Sequence, residues 1–194
     1  MKRQPIGQGR DERTYNSVGL HRADRRAAAV ATRVAAVIAE AWPGTIAEHV
    51  GSTAVPGLIG KNVVDLQITA DPADVPATTE ALLRLGFARH RGREPWLPER
   101  PMLEGTFRRA GAVFLLHCHV VPATDPDVGQ MIEFRDLLRR DPVARRFYAA
   151  DKRRIAAQTR DSLEYTHAKT QLIRALRWPL SSAVLVRPSH GSRG

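Results

Sequence analysis

The sequence predicts a mixed α+β domain, and three observations carry that prediction. Larger apolar residues repeat at helical spacing in an Ala-rich segment near residues 22–41. Val63 to Thr69 alternates cleanly and is followed downstream by two strand-like runs around Ala110-Gly111. An almost continuous helical pattern then runs from Asp127 to about Arg177. With 194 residues, 43% hydrophobic and 26% charged, the chain is large enough for one buried core and too apolar for a disordered polymer. A single domain over 1–178 with a loose tail over 179–194 is expected.

The elements follow in order. Residues 1 to about 20 show no period and read as an irregular opening segment. Val30, Val34, Val37 and Ile38 then share one helical face, and Trp42-Pro43-Gly44 stops that helix because proline lacks an amide donor. A short strand over Thr45–Val50 leads into GSTAVPGLIGKN, whose glycines and proline forbid regular structure. In the next strand Val64, Leu66 and Ile68 point one way, and Asp65, Gln67 and Thr69 the other. A helix over Val75–Leu85 ends at Gly86, and Phe87–His90 reads as a short strand. Arg91–Arg100 reads as a surface loop, and Met102–Arg109 with Ala112–Val121 forms a hairpin. The helical stretch breaks near Asp141-Pro142 and Asp161-Ser162, each break supplying an N-cap, and Pro179 is expected to end the last helix.

Composition excludes several classes. No apolar run approaches the ~20 residues that span a bilayer, and the basic start lacks an apolar stretch behind it, so neither membrane insertion nor a signal peptide is expected. The single Cys118 precludes an internal disulfide and points to a reducing, cytoplasmic setting. A net charge of +10 suggests an anionic partner, yet 26 of the 30 basic residues are Arg, a bias that GC-rich coding explains equally well. Only Lys2, Lys61, Lys152 and Lys169 are lysines. The basic charge concentrates between Glu133 and Arg177, where twelve Arg/Lys face six Asp/Glu. Those helices suit an anion cleft or a solvated face laced with salt bridges.

The loop Gly51–Asn62 is the most informative segment. Glycine lets a backbone approach a phosphate, Ser52 and neighbouring amides can donate to its oxygens, and Lys61 adds positive charge. Asp65 can hold a metal ion from the opposite side. A P-loop is excluded, because Val55 stands where its first glycine belongs and Asn62 where Ser or Thr belongs. A plain Gly- and Pro-rich turn, with Ser52 and Thr53 capping backbone amides, accounts for the same residues. His117 and His119 share a strand face, a spacing that suits zinc or iron ligation, a ligand contact or a structural role, with His49 and Asp65 as further ligands if their strands adjoin.

Val50-Gly51-Ser52, followed after twelve residues by Val64-Asp65-Leu66-Gln67-Ile68, resembles the signature of DNA polymerase β-like nucleotidyltransferases. More narrowly, Glu48 to Leu58 (EHVGSTAVPGL) with Lys61 and Val64-Asp65 resembles the GrpB family. Leu116 to Val121 (LHCHVV), Phe134 to Arg139 (FRDLLR), Tyr148 with Lys152, and Tyr165 with Lys169 continue the likeness. The resemblance covers about 48–173. It implies a nucleotidyltransferase-like mixed sheet with flanking helices and a C-terminal helical layer. It also implies a nucleotide or phosphorylated small molecule as ligand, and magnesium or manganese as cofactor. Asp65 would bind the metal with His119 assisting. His49, Gly51, Ser52, Thr53, Lys61, Gln67, His117, Arg135, Lys152, Tyr165 and Lys169 would line the ligand site. Related domains occur fused to dephospho-CoA kinase, which suggests a second role as a protein partner or folding module without catalysis. RNA binding through the basic helices is a third reading.

The sequence departs from an active transferase at two places. Gln67 stands where the second carboxylate of the Asp-x-Asp pair belongs. The third is expected on strand 115–121, whose same-facing residues are His117, His119 and Val121. Asn62 stands where the family more often carries proline. A transition metal at His117 and His119 is the alternative to magnesium.

Overall fold

The computed structural model describes residues 6–7, 18–90 and 96–183, with side chains to residue 175. Short antiparallel strands β1 (His21–Arg22) and β3 (Ile59–Gly60) pair with each other beside the main sheet. That sheet has the order β2-β4-β7-β6-β5, with β2 spanning Ala47–Val50, β4 Val63–Ala70, β5 Ala88–Arg89, β6 Met102–Arg109 and β7 Ala112–Pro122. It is mixed: β4 and β7 run parallel, and the other neighbouring pairs are antiparallel. The tight turn at Ala110 (φ 46°) and Gly111 (φ 76°) joins β6 to β7 and fixes their register.

Period-2 alternation gives the sheet two unlike faces. Val64, Leu66 and Ile68 of β4 lie beside Leu116, Cys118 and Val120 of β7, and Leu103 and Phe107 of β6 extend this apolar face. Helix α1 (Ala27–Ala41) covers it with Val30, Val34, Val37 and Ile38, the stripe that the sequence predicts, and α2 (Val75–Arg84) adds Val75 and Leu82. Cys118 is fully buried there, and burial pushes its thiol up to about 12. Ile6 also reaches this core, and Gly7 bridges Thr106. The opening segment therefore docks at these two residues, which lack a period because they contact the sheet singly.

The opposite face meets the C-terminal helices α3 (Gln130–Arg140), α4 (Pro142–Gln158) and α5 (Ser162–Ala183). A second, smaller core joins Val55 and Leu58 of the glycine-rich loop to Phe134, Leu137, Leu138 and Tyr148. Asp141 caps α4 by accepting from the Val143 and Ala144 amides. Helix α5 continues through Pro179 to Ala183, whereas the sequence reading ends it at Pro179. A proline removes one helical hydrogen bond and bends a helix without having to end it. Of the expected tail, 184–194 lies outside the described residues, as does 91–95 of the expected surface loop. No helix among the described residues is long and apolar enough to cross a membrane.

Candidate functional site

Strand β4 carries the site. Its register places Asp65 beside His117 of β7, and Glu104 of β6 beside His117 on the far side. One row of the polar face thus reads Val50, Asp65, His117, Glu104, and the next reads Glu48, Gln67, His119, Met102. His117 Nδ1 lies 3.3 Å from Asp65 Oδ1 and His119 Nε2 lies 4.0 Å from it. Burial alone raises the Asp65 carboxyl, but the two histidines beside it outweigh that effect and hold the group well below the usual carboxylate range. Burial lowers His119, against the pull of Asp65, so its ring favours the neutral form.

Gly51 makes room for this arrangement. It adopts φ 71° and ψ −168°, a region essentially reserved for glycine, and a Cβ there would overlap Asp65 Oδ2. Ser52 opens a one-turn 3₁₀ helix (Ser52–Ala54). Gly60 lies beside Ser52, since a Cβ at that position would overlap Ser52 Oγ and sit 3.6 Å from Lys152 Nζ. The two glycines therefore bring the serine, the aspartate and a lysine close without side chains between them.

Three lysines gather around this point. Lys61 Nζ donates to Ser162 Oγ at 2.5 Å and lies 5.7 Å from the Tyr165 ring centroid. Lys152 Nζ donates to the Ile59 carbonyl at 2.6 Å and lies 5.3 Å from the Tyr148 ring centroid. Burial, with repulsion from Lys169 and Lys61, pushes Lys152 down to about 7 against the attraction of Asp65. Lys61 and Lys169 are lowered by burial as well, and the Asp65 charge acts on both. The Tyr165 hydroxyl is buried and has no hydrogen-bond partner among the described residues, and burial raises it to about 12.

Four of the residues picked from the sequence have other commitments. Strands β2 and β4 do adjoin, but His49 pairs with Leu66, so period 2 turns it to the apolar side of the sheet, away from Asp65. Its Nε2 bonds Thr53 Oγ1 at 3.0 Å. Thr53 already donates its only hydroxyl proton to the Val63 carbonyl, so His49 must be the donor, as a neutral ring. Burial first, then Arg139 and Arg135, push His49 down to about 4 despite Asp65, which agrees with that state. Arg135 donates to Glu48 Oε2 at 2.7 Å and to the His49 carbonyl at 2.9 Å, and also pairs with Asp136, bracing β2 against α3. Gln67 is buried and donates to the Val128 carbonyl at 2.7 Å.

Sequence reasoning missed Glu104, His90 and Trp96. It places no third carboxylate near Asp65, whereas Glu104 stands across His117 from it and pairs with His90. The His90 ring meets His117 edge-on at 6.5 Å, and Trp96 meets His119 at 5.3 Å. The signal for Glu104 was present. A two-residue turn at Ala110-Gly111 pairs Arg109 with Ala112 and, counting back along both strands, Glu104 with His117.

A mixed sheet that carries a Gly-Ser loop and an aspartate on one strand, backed by α1 and α2 and closed by a C-terminal helical layer, defines a mixed α+β domain. The chain belongs to the GrpB family, whose model, described as GrpB protein, matches residues 17–177. A UPF0157 protein of Deinococcus radiodurans is 36% identical over 138 residues, covering 69% of this chain and 66% of that protein, so the chain spans just under two thirds of that curated relative. Among solved structures, the conserved protein GrpB from Enterococcus faecalis superposes with a TM-score of 0.66 at 18% identity, over 87% of this chain and all of that one (100%). The Cid1 poly(U) polymerase with bound MgGTP matches more weakly, at a TM-score of 0.45 and 16% identity over 74% of this chain and 48% of that one.

Proposed function

We propose that the chain binds a phosphorylated ligand, a nucleoside triphosphate foremost, with its phosphates over Ser52 and the three lysines and its reacting end toward Asp65. One observation carries the reading: of four lysines in the sequence, Lys61, Lys152 and Lys169 are close enough to act on one another electrostatically and to share the charge of Asp65. Burying like charges together is unfavourable unless an anion offsets them. The unpartnered hydroxyl of Tyr165, whose ring lies under Lys61, adds a donor of the kind that a phosphate oxygen satisfies.

The reaction class that suits this reading is nucleotidyl transfer to an unidentified acceptor, with Asp65 on the metal and His119 assisting. A second reading, ligand binding without turnover in support of a partner enzyme, is favoured by Gln67. Its neutral amide fills the place of a second carboxylate and is tied to Val128. Calorimetric titration with the four NTPs, with and without Mg²⁺ or Mn²⁺, tests the binding reading. Micromolar to sub-millimolar affinity, weakened at least tenfold by Lys61→Ala, is expected; no response to any nucleotide overturns it. Pyrophosphate release on incubation with NTP and cell extract separates transfer from binding alone.

A further inference from the structure

The fold implies a magnesium pair held by carboxylates, and the residues on the polar face do not fit one. Magnesium demands oxygen donors in near-ideal octahedral geometry. Here Asp65 offers the carboxylate, the second place holds the committed amide of Gln67, the neighbouring strand offers two imidazoles, and Glu104 beyond them is taken up by His90. Imidazole nitrogen suits zinc, iron, cobalt, nickel and copper far better than magnesium.

We propose that Asp65, His117 and His119 ligate a single divalent transition-metal ion. Among the described residues this is the group of three whose donor atoms all lie within 4.8 Å of one another. Donors ~2.1 Å from an ion sit roughly 3–3.4 Å apart. The 3.3 Å between His117 Nδ1 and Asp65 Oδ1 already meets that spacing, and the 4.0 Å from His119 Nε2 closes with a small ring rotation. The three come from adjacent parallel strands and occupy one side of the ion, which leaves the other side for ligand oxygens. Two histidines with one carboxylate in this arrangement are the donor set of open transition-metal sites.

The surroundings support the donors from behind. His90, paired with Glu104, meets His117 edge-on, and Trp96 meets His119 edge-on, so each ring has an aromatic neighbour behind it. Glycine at position 51 keeps the space around Asp65 Oδ2 clear.

The inference goes beyond the phosphate reading and stands without it, because the metal is titrated alone. Chelator-treated full-length protein is titrated with Co²⁺ and followed by visible absorption, then with Zn²⁺, Mn²⁺ and Mg²⁺ in competition. One equivalent of Co²⁺ with ligand-field bands is expected, displaced by Zn²⁺ and not by millimolar Mg²⁺. His119→Gln and Asp65→Asn should each weaken uptake at least tenfold. Where a variant does not fold, the histidine ring signals of the wild-type chain decide, since substoichiometric Mn²⁺ should broaden those of His117 and His119 first. No stoichiometric uptake, uptake unchanged in a folded His119→Gln, broadening that starts at other histidines, or equal competition by Mg²⁺ each overturns the proposal. Any of these results leaves the nucleotide titrations to stand or fall separately.

Discussion

The two faces of the central sheet are built from the same strands and obey different physics. On one, Leu66, Leu116 and Leu103 meet α1 in a close-packed apolar layer, where burial supplies the stability and substitution of volume is what matters. On the other, one residue along each strand, Asp65, His117 and Glu104 form a row of ionisable groups, with buried Lys152, half-buried Lys61 and Lys169 and the committed Gln67 nearby. Such groups contribute little net stability and are unfavourable to bury without partners. The difference separates residues that hold the fold from residues that the proposed function assigns to a ligand, and it can be tested along β4 one position at a time.

The largest expected effect is on the apolar face. Leu66→Ala should cost about 2–5 kcal/mol of stability through the lost transfer energy and the cavity left behind, measured by urea denaturation. Its neighbour Asp65→Asn should lose the stabilisation that the histidines give the charged carboxylate, a smaller cost at neutral pH than that of Leu66→Ala, while removing the metal-dependent response. Equal losses at both positions would break the comparison.

Gly51→Ala comes next. Its φ of 71° and the clash with Asp65 should cost about 1–3 kcal/mol. Ligand or metal affinity, measured below the melting transition, should fall as well, because Asp65 must move.

Lys152→Met sharpens the contrast in the opposite direction. Removing a buried amine should raise stability by about 1 kcal/mol while weakening NTP binding at least tenfold. The sign can be worked from its depressed value of about 7. The unfolded chain holds the proton up to about 10.4, so the wild-type penalty is full below pH 7 and fades as pH rises toward 10. The stability gap between variant and wild type should narrow over that range, as followed by melting temperature.

The smallest effect is a pH dependence of binding. A phosphate prefers the protonated Lys152, so nucleotide affinity should decline as pH rises through about 7, by no more than about tenfold per unit for one proton. Calorimetry in two buffers of different ionisation enthalpy would register the proton uptake.

The apolar face was nearly complete in the sequence. Alternation in VVDLQIT and the helical stripe from Val30 to Ile38 need only their own periods to be read, and both meet in the core as expected. The polar face was legible in its parts and not in its pairings. Asp65, His117 and His119 were found by strand phase, but the turn of His49 to the opposite face depends on the β2–β4 register, which spacing alone leaves open. Arg135 has the positive charge expected of a phosphate contact, and only its contacts with Glu48 and the His49 carbonyl reveal the brace. Lys61 and Lys169 are 108 positions apart in the sequence, and no local pattern announces that α5 returns one beside the other.

The contact between Lys61 and Ser162 joins residues 101 positions apart. During synthesis at ~5–20 residues per second, the glycine-rich loop leaves the ribosome roughly 5–20 s before the helix that faces it. Through that interval the nascent chain can pack its apolar sheet face against α1, yet the contact between Lys61 and Ser162 is still unmade. Under the proposed phosphate reading, a half-made copy does not compete with finished protein for the ligand, and completion of α5 is the step that closes the site.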